Sequence, residues 1–485
     1  MKNSLITKDL FLTALQCPSR VWHETHLSTP KPLSIYDKFI IEEGLEIHKK
    51  AHHLFPDGHL ITVDNITATN ETAQLLDDPD VSTLFEATFM IDNGITKADI
   101  IKIHYSGVDL IEIKSGLDSK EDYLDDLAYT TMICRQVGLP ITSCSLLLLN
   151  RDYRHGMPVS ALFKEFDCTE EALIRSDLFW KQYDEIINKI FSETRLPPDY
   201  KFECKHCDYI YTCFSNNPEY HTFDLPRLSH TKFCRLRELE VNNIEDIPAD
   251  FGLSPHQEKV REAVKAGKPT IDKEGLKKEL EKLVYPLHFL DFETVTTAIP
   301  LYEGISPYTQ IPTQYSLHAC SEAGDILHHY EYLSDSHNDG RRKLAETLIE
   351  HCGSEGSILC YSSFEKTVIG GLISLFPDLI EELDGLVSRL VDLCAILQRN
   401  YYHPDFHGSY IIKTVLPVMA PELSYENMEI SNGGDAVEEF AYLARGKYSK
   451  KETKVVRSSL LEYCKLDTLA MVKLHERLRE IVEVK

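Results

Sequence analysis

Two short apolar runs, each carrying one acidic residue and joined by a polar turn, constrain the N-terminal half more than any other feature. Ala98-Asp-Ile-Ile-Lys-Ile103 and Val108-Asp-Leu-Ile-Glu-Ile113 read as strands, with His104-Tyr-Ser-Gly107 as the turn between them. A helix over 121–137 and a buried strand from Ile141 to Leu149 follow. This β–β–α–β order predicts a mixed α/β core. Upstream, residues 1 to about 60 read as helical, with Leu10, Phe11, Ala14 and Leu15 at helix spacing. Downstream, an amphipathic helix runs from Glu170 to Glu193 and is ended by Leu196-Pro-Pro198.

A second α/β unit starts at Leu287-His-Phe-Leu-Asp-Phe-Glu293. Its further strand is Ser357-Ile-Leu-Cys-Tyr361, followed by a helix beginning near Phe364, and a helix from about Ser458 to Val482 closes the chain. Residues 225–285 are polar and mainly helical in pattern. The expected organisation is therefore a domain over 1–224, a helical bridge or subdomain over 225–285, and a domain over 286–485.

The chain has 485 residues, 43% hydrophobic and 26% charged, enough to build large cores. Its formal charge of -26 repels nucleic acid unless positive charge is concentrated locally, which argues against a DNA-coating protein. It argues less against a nuclease, whose carboxylates are offset by bound metal. No apolar run is long enough for a membrane span, and the first ten residues lack a signal-peptide core. A cytoplasmic location without membrane association is expected. In that compartment the 13 cysteines are expected to be reduced, and any clustered set reads as a metal site first.

Three constellations carry chemistry. In the first, Asp99 lies in the leading strand of the hairpin, and Glu112 and Lys114 close the second. Two residues apart in a strand, Glu112 and Lys114 share a face. Carboxylates of this kind ligate Mg²⁺ or Mn²⁺, which activate water for phosphodiester hydrolysis, and a neighbouring lysine orients the water or stabilises developing charge. A solvated charged hairpin is the plain alternative. The arrangement resembles the PD-(D/E)xK nuclease superfamily, in its RecB-like branch. That resemblance implies a metal-binding histidine on an early helix, here His48 in Gly44-Leu-Glu-Ile-His48, and a further acidic position, here Glu86. The branch's Gln-x-x-x-Tyr motif stands here as Asp125-Asp-Leu-Ala-Tyr129, without the glutamine.

The second constellation is Cys204-Lys-His-Cys207 with Cys213, a C-x-x-C-x5-C pattern whose tight pair can grip one metal or the edge of a cluster. Cys17, in Gln16-Cys-Pro-Ser-Arg-Val-Trp22, is a natural fourth thiol. Zinc, with His206 as a ligand, and unconnected core cysteines are the alternatives. The spacing is similar to that of iron–sulfur RecB-like nucleases, which implies a [4Fe-4S] cluster on Cys17, Cys204, Cys207 and Cys213. The other nine cysteines receive no role.

The third is Asp291-Phe-Glu293 at a strand end, with Tyr463-Cys-Lys-Leu-Asp467 far downstream. Paired carboxylates can bridge two divalent ions, and a spacing of four puts Tyr463 and Asp467 on one helical face. The pattern resembles DnaQ-like exonucleases of the ribonuclease H-like fold, in the subgroup with tyrosine in the last motif. That family's middle acidic motif stands here as Leu359-Cys-Tyr-Ser-Ser-Phe-Glu365, so Glu365 is the candidate, with serine where asparagine is usual. Asp392 is a further acidic candidate. The second half also resembles a bacterial domain of unknown function, number 2779, through His288-Phe-Leu-Asp-Phe-Glu-Thr294, Pro307-Tyr308 with Gln310-Ile-Pro312, Tyr402-His-Pro404 with His407-Gly-Ser-Tyr410, Lys413 with Leu416-Pro417, and Tyr463-Cys-Lys465 with Asp467-Thr468. Lys413 is a candidate phosphate contact, and His403 or His407 a substrate contact or loop-packing residue.

The expected fold is thus a PD-(D/E)xK restriction-endonuclease-like domain, a helical bridge and a ribonuclease H-like mixed-sheet domain. The expected function is a metal-dependent nuclease with two sites, acting on DNA in preference to RNA. Direction and exo mode rest on the resemblance alone. A nucleic-acid binding or scaffold protein with degenerate sites, and an iron–sulfur redox sensor, are the competing readings.

Overall fold

The computed structural model describes residues 5–27, 32–63, 65–214, 218–322, 324–425, 428–430 and 432–483. The chain divides into two compact units. The first comprises 1–201, 207–214 and 297–309, and the second 202–206, 215–296 and 310–485. The expected bridge over 225–285 lies in the second unit, and 297–309 packs with the first.

The first unit is built on a six-stranded mixed sheet of β1 (His59–Leu60), β2 (Thr83–Ile91), β3 (Gly94–His104), β4 (Gly107–Ile113), β5 (Ile141–Leu149) and β6 (Phe163–Asp167), side by side in that order. β2, β3 and β4 form an antiparallel meander through tight turns. β4 and β5 are parallel because the helix Glu121–Gln136 carries the chain back across the sheet. Strand alternation sends apolar side chains to both faces. One face packs Leu110 and Leu146 against Phe11, Tyr129, Phe179 and Tyr183, which come from the helices Lys8–Gln16, Glu121–Gln136 and Thr169–Ile190. The other packs Ile100, Ile111, Ile113 and Leu147 against Ile47 and Ala51 of the helix Ile35–His52. Segment 297–309 is tied to this unit by backbone. The Glu43 carboxylate accepts from the amides of Ala298 at 3.0 Å and Ile299 at 3.4 Å, and the Tyr308 hydroxyl donates to the Ser115 carbonyl at 2.9 Å.

The second unit holds β7 (Thr270–Ile271), β8 (Leu287–Val295), β9 (Ile311–Glu322), β10 (Asp325–Leu333), β11 (Ile358–Cys360), β12 (Leu390–Asp392) and β13 (Tyr401–Tyr402). β7 and β13 form a two-stranded ribbon. The main sheet has the order β10-β9-β8-β11-β12, antiparallel across β10, β9 and β8 and parallel across β8, β11 and β12. Leu290 and Phe292 of β8 point into an apolar core with Tyr315, Leu344, Leu348 and Ile369. The opposite face of β9 is polar and buried: the Gln314 amide donates to the Leu460 carbonyl at 2.8 Å, and Ser316 and His318 each lie 2.8 Å from the Thr468 hydroxyl. The helix Lys450–Glu483 covers this polar face, so its buried residues include Tyr463, Cys464, Asp467 and Thr468. The segment 225–285 contains the helices His230–Glu238, Pro255–Ala266 and Lys273–Leu280. No helix among the described residues is long and apolar enough to cross a membrane.

Tyr129 shows what replaces a ligand contact in the Asp125–Tyr129 motif. It is fully buried, and its hydroxyl donates to the carbonyls of Ile6 at 3.0 Å and Ile95 at 3.3 Å. Tyr129→Phe is expected to destabilise the first unit by about 0.5–1.5 kcal/mol through loss of this buried hydrogen bond, read as a lower denaturant midpoint.

Candidate metal centres

In the first unit, strand register lines up three carboxylates. Glu86 of β2 faces Asp99 of β3, bracketed by the pairs Phe85–Ile100 and Ala87–Ala98. Asp99 in turn lies opposite Glu112 of β4, one step beyond the pair Ile100–Ile111. Glu86 has φ 57°, a left-handed conformation that a non-glycine residue rarely takes inside a strand. His48, on the helix Ile35–His52, has Nδ1 3.3 Å from Glu86 Oε1. One ligand atom from each of His48, Glu86 and Asp99 lies within 4.8 Å of the others.

Charge is distributed unevenly across this row. Glu112 is 2% exposed, and its Oε1 accepts from Lys8 Nζ at 2.6 Å and Lys114 Nζ at 3.0 Å. Burial opposes its ionisation, but the two ammonium groups outweigh burial and hold the carboxyl down to about 2. Asp99 accepts the Ile113 amide at 2.7 Å, yet burial and then the neighbouring Glu112 charge push its carboxyl up to about 7. Lys114 also bonds Asp126. Lys8 and Asp126 were not singled out in the sequence. Lys8 is brought in by tertiary folding, and Asp126 is the second residue of the Asp125–Tyr129 motif. Its neighbour Asp125 is held by Arg175 at 2.7 Å.

In the second unit, Asp291, Glu293, Glu365 and Asp467 line one cavity of about 510 Å³ together with Tyr463, Lys413, Tyr361 and Tyr410. Asp291 and Glu293 are two apart on β8 and so project from the face opposite Leu290 and Phe292. Burial drives both carboxyls well above the usual range, and the charge of Asp467 adds to the effect on each. Asp467 is pushed up by burial to about 6, although the Tyr425 hydroxyl donates to its Oδ1 at 2.6 Å. Glu365, at the first turn of the helix Phe364–Leu375, is raised by burial and then by Asp392 to about 7. Its Oε2 is 3.5 Å from the Ser362 hydroxyl, the group standing where asparagine is usual. Asp392 spends one oxygen capping the next helix, accepting from the Ala395 amide at 2.9 Å. Lys413 sits 5.0 Å from the Tyr463 ring centre and 5.2 Å from that of Tyr425.

His403 and His407 have local roles. His403 Nδ1 accepts from the Asp405 amide at 3.2 Å, and His407 Nδ1 lies 3.1 Å from Asp224 Oδ2. Two residues that contact the cavity's carboxylates carry no signal of their own in the sequence: Tyr425, which belongs to no motif, and Cys464, hidden inside the Tyr463–Asp467 motif.

Cys17 caps the junction between the helices Lys8–Gln16 and Pro18–His26. The segment carrying Cys207 and Cys213 packs close by. Ser19 Oγ donates to the Leu196 carbonyl at 2.7 Å, Lys201 Nζ to the Gln16 carbonyl at 3.3 Å, and Cys213 Sγ lies 3.5 Å from His23 Nε2. Cys204 falls in the stretch 202–206 grouped with the second unit.

The family described as a domain of unknown function, DUF2779, matches residues 288–411, which include Asp291, Glu293 and Glu365 but not Tyr463 or Asp467. An uncharacterized protein of Mycoplasma genitalium, MG366, is 24% identical over 214 residues, covering 40% of this chain and 32% of its own length. The chain thus spans about a third of that relative.

The raised carboxyls of the second unit set a direction for pH dependence. Groups whose folded pKa exceeds the unfolded value bind protons more tightly when folded. Their contribution to stability therefore grows as pH falls through about 7 and about 6 and is lost as pH rises. Metal-free protein is expected to melt higher at pH 5.5 than at pH 8 by an increment that shrinks in Asp467→Asn, as measured by differential scanning calorimetry. An equal increment in the variant would contradict this assignment.

Proposed function

We propose that the chain is a metal-dependent nuclease with two phosphodiester-hydrolysing sites, one in each unit, acting on DNA in preference to RNA. The observation that carries the reading is the convergence of Asp291, Glu293, Glu365 and Asp467 on one cavity beside Tyr463 and Lys413. The β10-β9-β8-β11-β12 order, three antiparallel strands continued by two parallel ones, supports a ribonuclease H-like fold for the second unit. The row Glu86, Asp99, Glu112 with Lys114 and His48 supports a RecB-like PD-(D/E)xK fold for the first.

Buried carboxylates with raised pKa values suit a divalent cation, which lowers the cost of ionising them together. Mg²⁺ or Mn²⁺, held by Asp291, Glu293 and Asp467 in one unit and by His48, Asp99 and Glu112 in the other, would supply Lewis acidity toward water and phosphate. The protein's own groups do the rest. Tyr425 fixes one oxygen of Asp467, which lines the cavity. Tyr463, on the same helical face, orients the attacking water. Lys413 meets a phosphate oxygen, and Glu365, titrating near neutrality, exchanges a proton with water or the leaving oxygen. In the first unit Lys114 steadies the developing charge, and Lys8 keeps Glu112 ionised.

We assign Cys17, Cys204, Cys207 and Cys213 a [4Fe-4S] cluster, a reading that rests on the C-x-x-C-x5-C spacing with an early fourth cysteine. Anaerobically purified protein is expected to be brown and to carry iron and sulfide, both lost on Cys207→Ser. A colourless protein with stoichiometric zinc would overturn the cluster.

The function is tested on labelled single-stranded DNA and RNA. Mn²⁺-dependent degradation is expected, with Glu112→Ala and Asp291→Ala each abolishing one component by about 100-fold or more, beyond the usual loss for groups supporting a metal ligand. Tight binding without degradation by cluster-loaded protein would instead favour a binding role.

A further inference from the structure

The geometry points to Cys464 as a further ligand in the centre of Asp291, Glu293 and Asp467, making it a carboxylate–thiolate site that selects a thiophilic divalent cation over Mg²⁺. This inference rests on the reading of that cavity as a metal site, and it adds a ligand and a metal class to it.

Cys464 is fully buried on the helix Lys450–Glu483, one residue from Tyr463 and three from Asp467. One ligand atom from each of Asp291, Glu293 and Cys464 lies within 4.8 Å of the other two. The sulfur is 3.6 Å from Asp291 Oδ2 and 3.8 Å from the Asp291 carbonyl oxygen. A sulfur at ~2.3 Å and a carboxylate oxygen at ~2.1 Å from one tetrahedral ion would be about 3.6 Å apart. The Cys464 sulfur and Asp291 Oδ2 therefore stand at the separation a shared ion requires, with a Glu293 oxygen within 4.8 Å of both.

The surroundings separate this thiol from the chain's packing cysteines. Cys134 and Cys352 are embedded in apolar clusters, as expected of a small hydrophobe. Cys464 instead faces carboxylates, where an apolar side chain would fill the same space without introducing another ionisable group. On ion binding the thiol proton leaves to solvent and the sulfur joins as thiolate, bringing three negative charges to the cation with Asp291 and Glu293. Magnesium prefers oxygen donors in octahedral geometry, whereas soft sulfur favours Zn²⁺ and Cd²⁺.

The test titrates reduced, chelator-treated full-length protein with Cd²⁺ and follows the ultraviolet sulfur-to-cadmium charge-transfer band in wild type, Cys464→Ser and Asp291→Asn. Cadmium on the four-cysteine set is common to all three proteins and cancels in the differences. The expected result is one equivalent of band missing in Cys464→Ser and bound at least about tenfold more weakly in Asp291→Asn. Because Asp291→Asn keeps every cysteine, it decides the matter if Cys464→Ser fails to fold. Identical titrations of wild type and Asp291→Asn would overturn the thiolate ligand. Failure of the nuclease reading looks different: the cadmium band would be present without nucleic-acid degradation.

Discussion

Carboxyl groups crowded into a protein interior cannot all ionise without a compensating positive charge, and that constraint organises both halves of this chain. In the second unit Asp291, Glu293, Glu365 and Asp467 share one cavity, and burial raises the pKa of each. Among the described residues Lys413 is the cation that lines this cavity, so most of the negative charge is left for protons or metal ions to balance. In the first unit two lysines converge on Glu112 and hold it ionised, while Asp99, one strand away, is raised to about 7. The first unit thus carries much of its counter-charge covalently.

The scaffolds that impose this crowding are ordinary. In the second unit an alternating strand puts Leu290 and Phe292 into the apolar core and leaves Asp291 and Glu293 for the opposite face. A 34-residue helix then seals that face through hydrogen bonds to Gln314, Ser316 and His318, delivering Tyr463, Cys464 and Asp467 to the carboxylates. In the first unit the register of three antiparallel strands sets Glu86, Asp99 and Glu112 in a row, and the left-handed backbone at Glu86 turns that side chain toward His48. Strain tolerated at this position is consistent with a local demand stronger than strand regularity.

Local pattern made much of this legible before any coordinates. The hairpin, the strand Ile141–Leu149, the helix Glu121–Gln136 and the helix starting at Phe364 are each announced by periodicity and by turn residues at their ends. β9 was not foreseen because its polar residues are buried by a helix far along the chain and so do not look like core, and β10 because it is a largely exposed edge strand. The helix Lys450–Glu483 begins earlier than its apolar pattern suggests, since its first turns are charged. The acidic residues of both centres were named from their motifs. Lys8, Asp126, Tyr425 and Cys464 were not: each acts through a partner 12 to 173 positions away, a distance no local pattern reports.

The central claim is that these two carboxylate centres are separate divalent-metal sites. It is tested most directly by diffraction from crystals soaked in Mn²⁺, using the metal's anomalous signal. The account predicts manganese beside Asp291, Glu293 and Asp467, and a second position beside His48, Asp99 and Glu112. Crystals in fully occupying Mn²⁺ with no anomalous density at either place, and with Lys8 still bonded to Glu112, would contradict it.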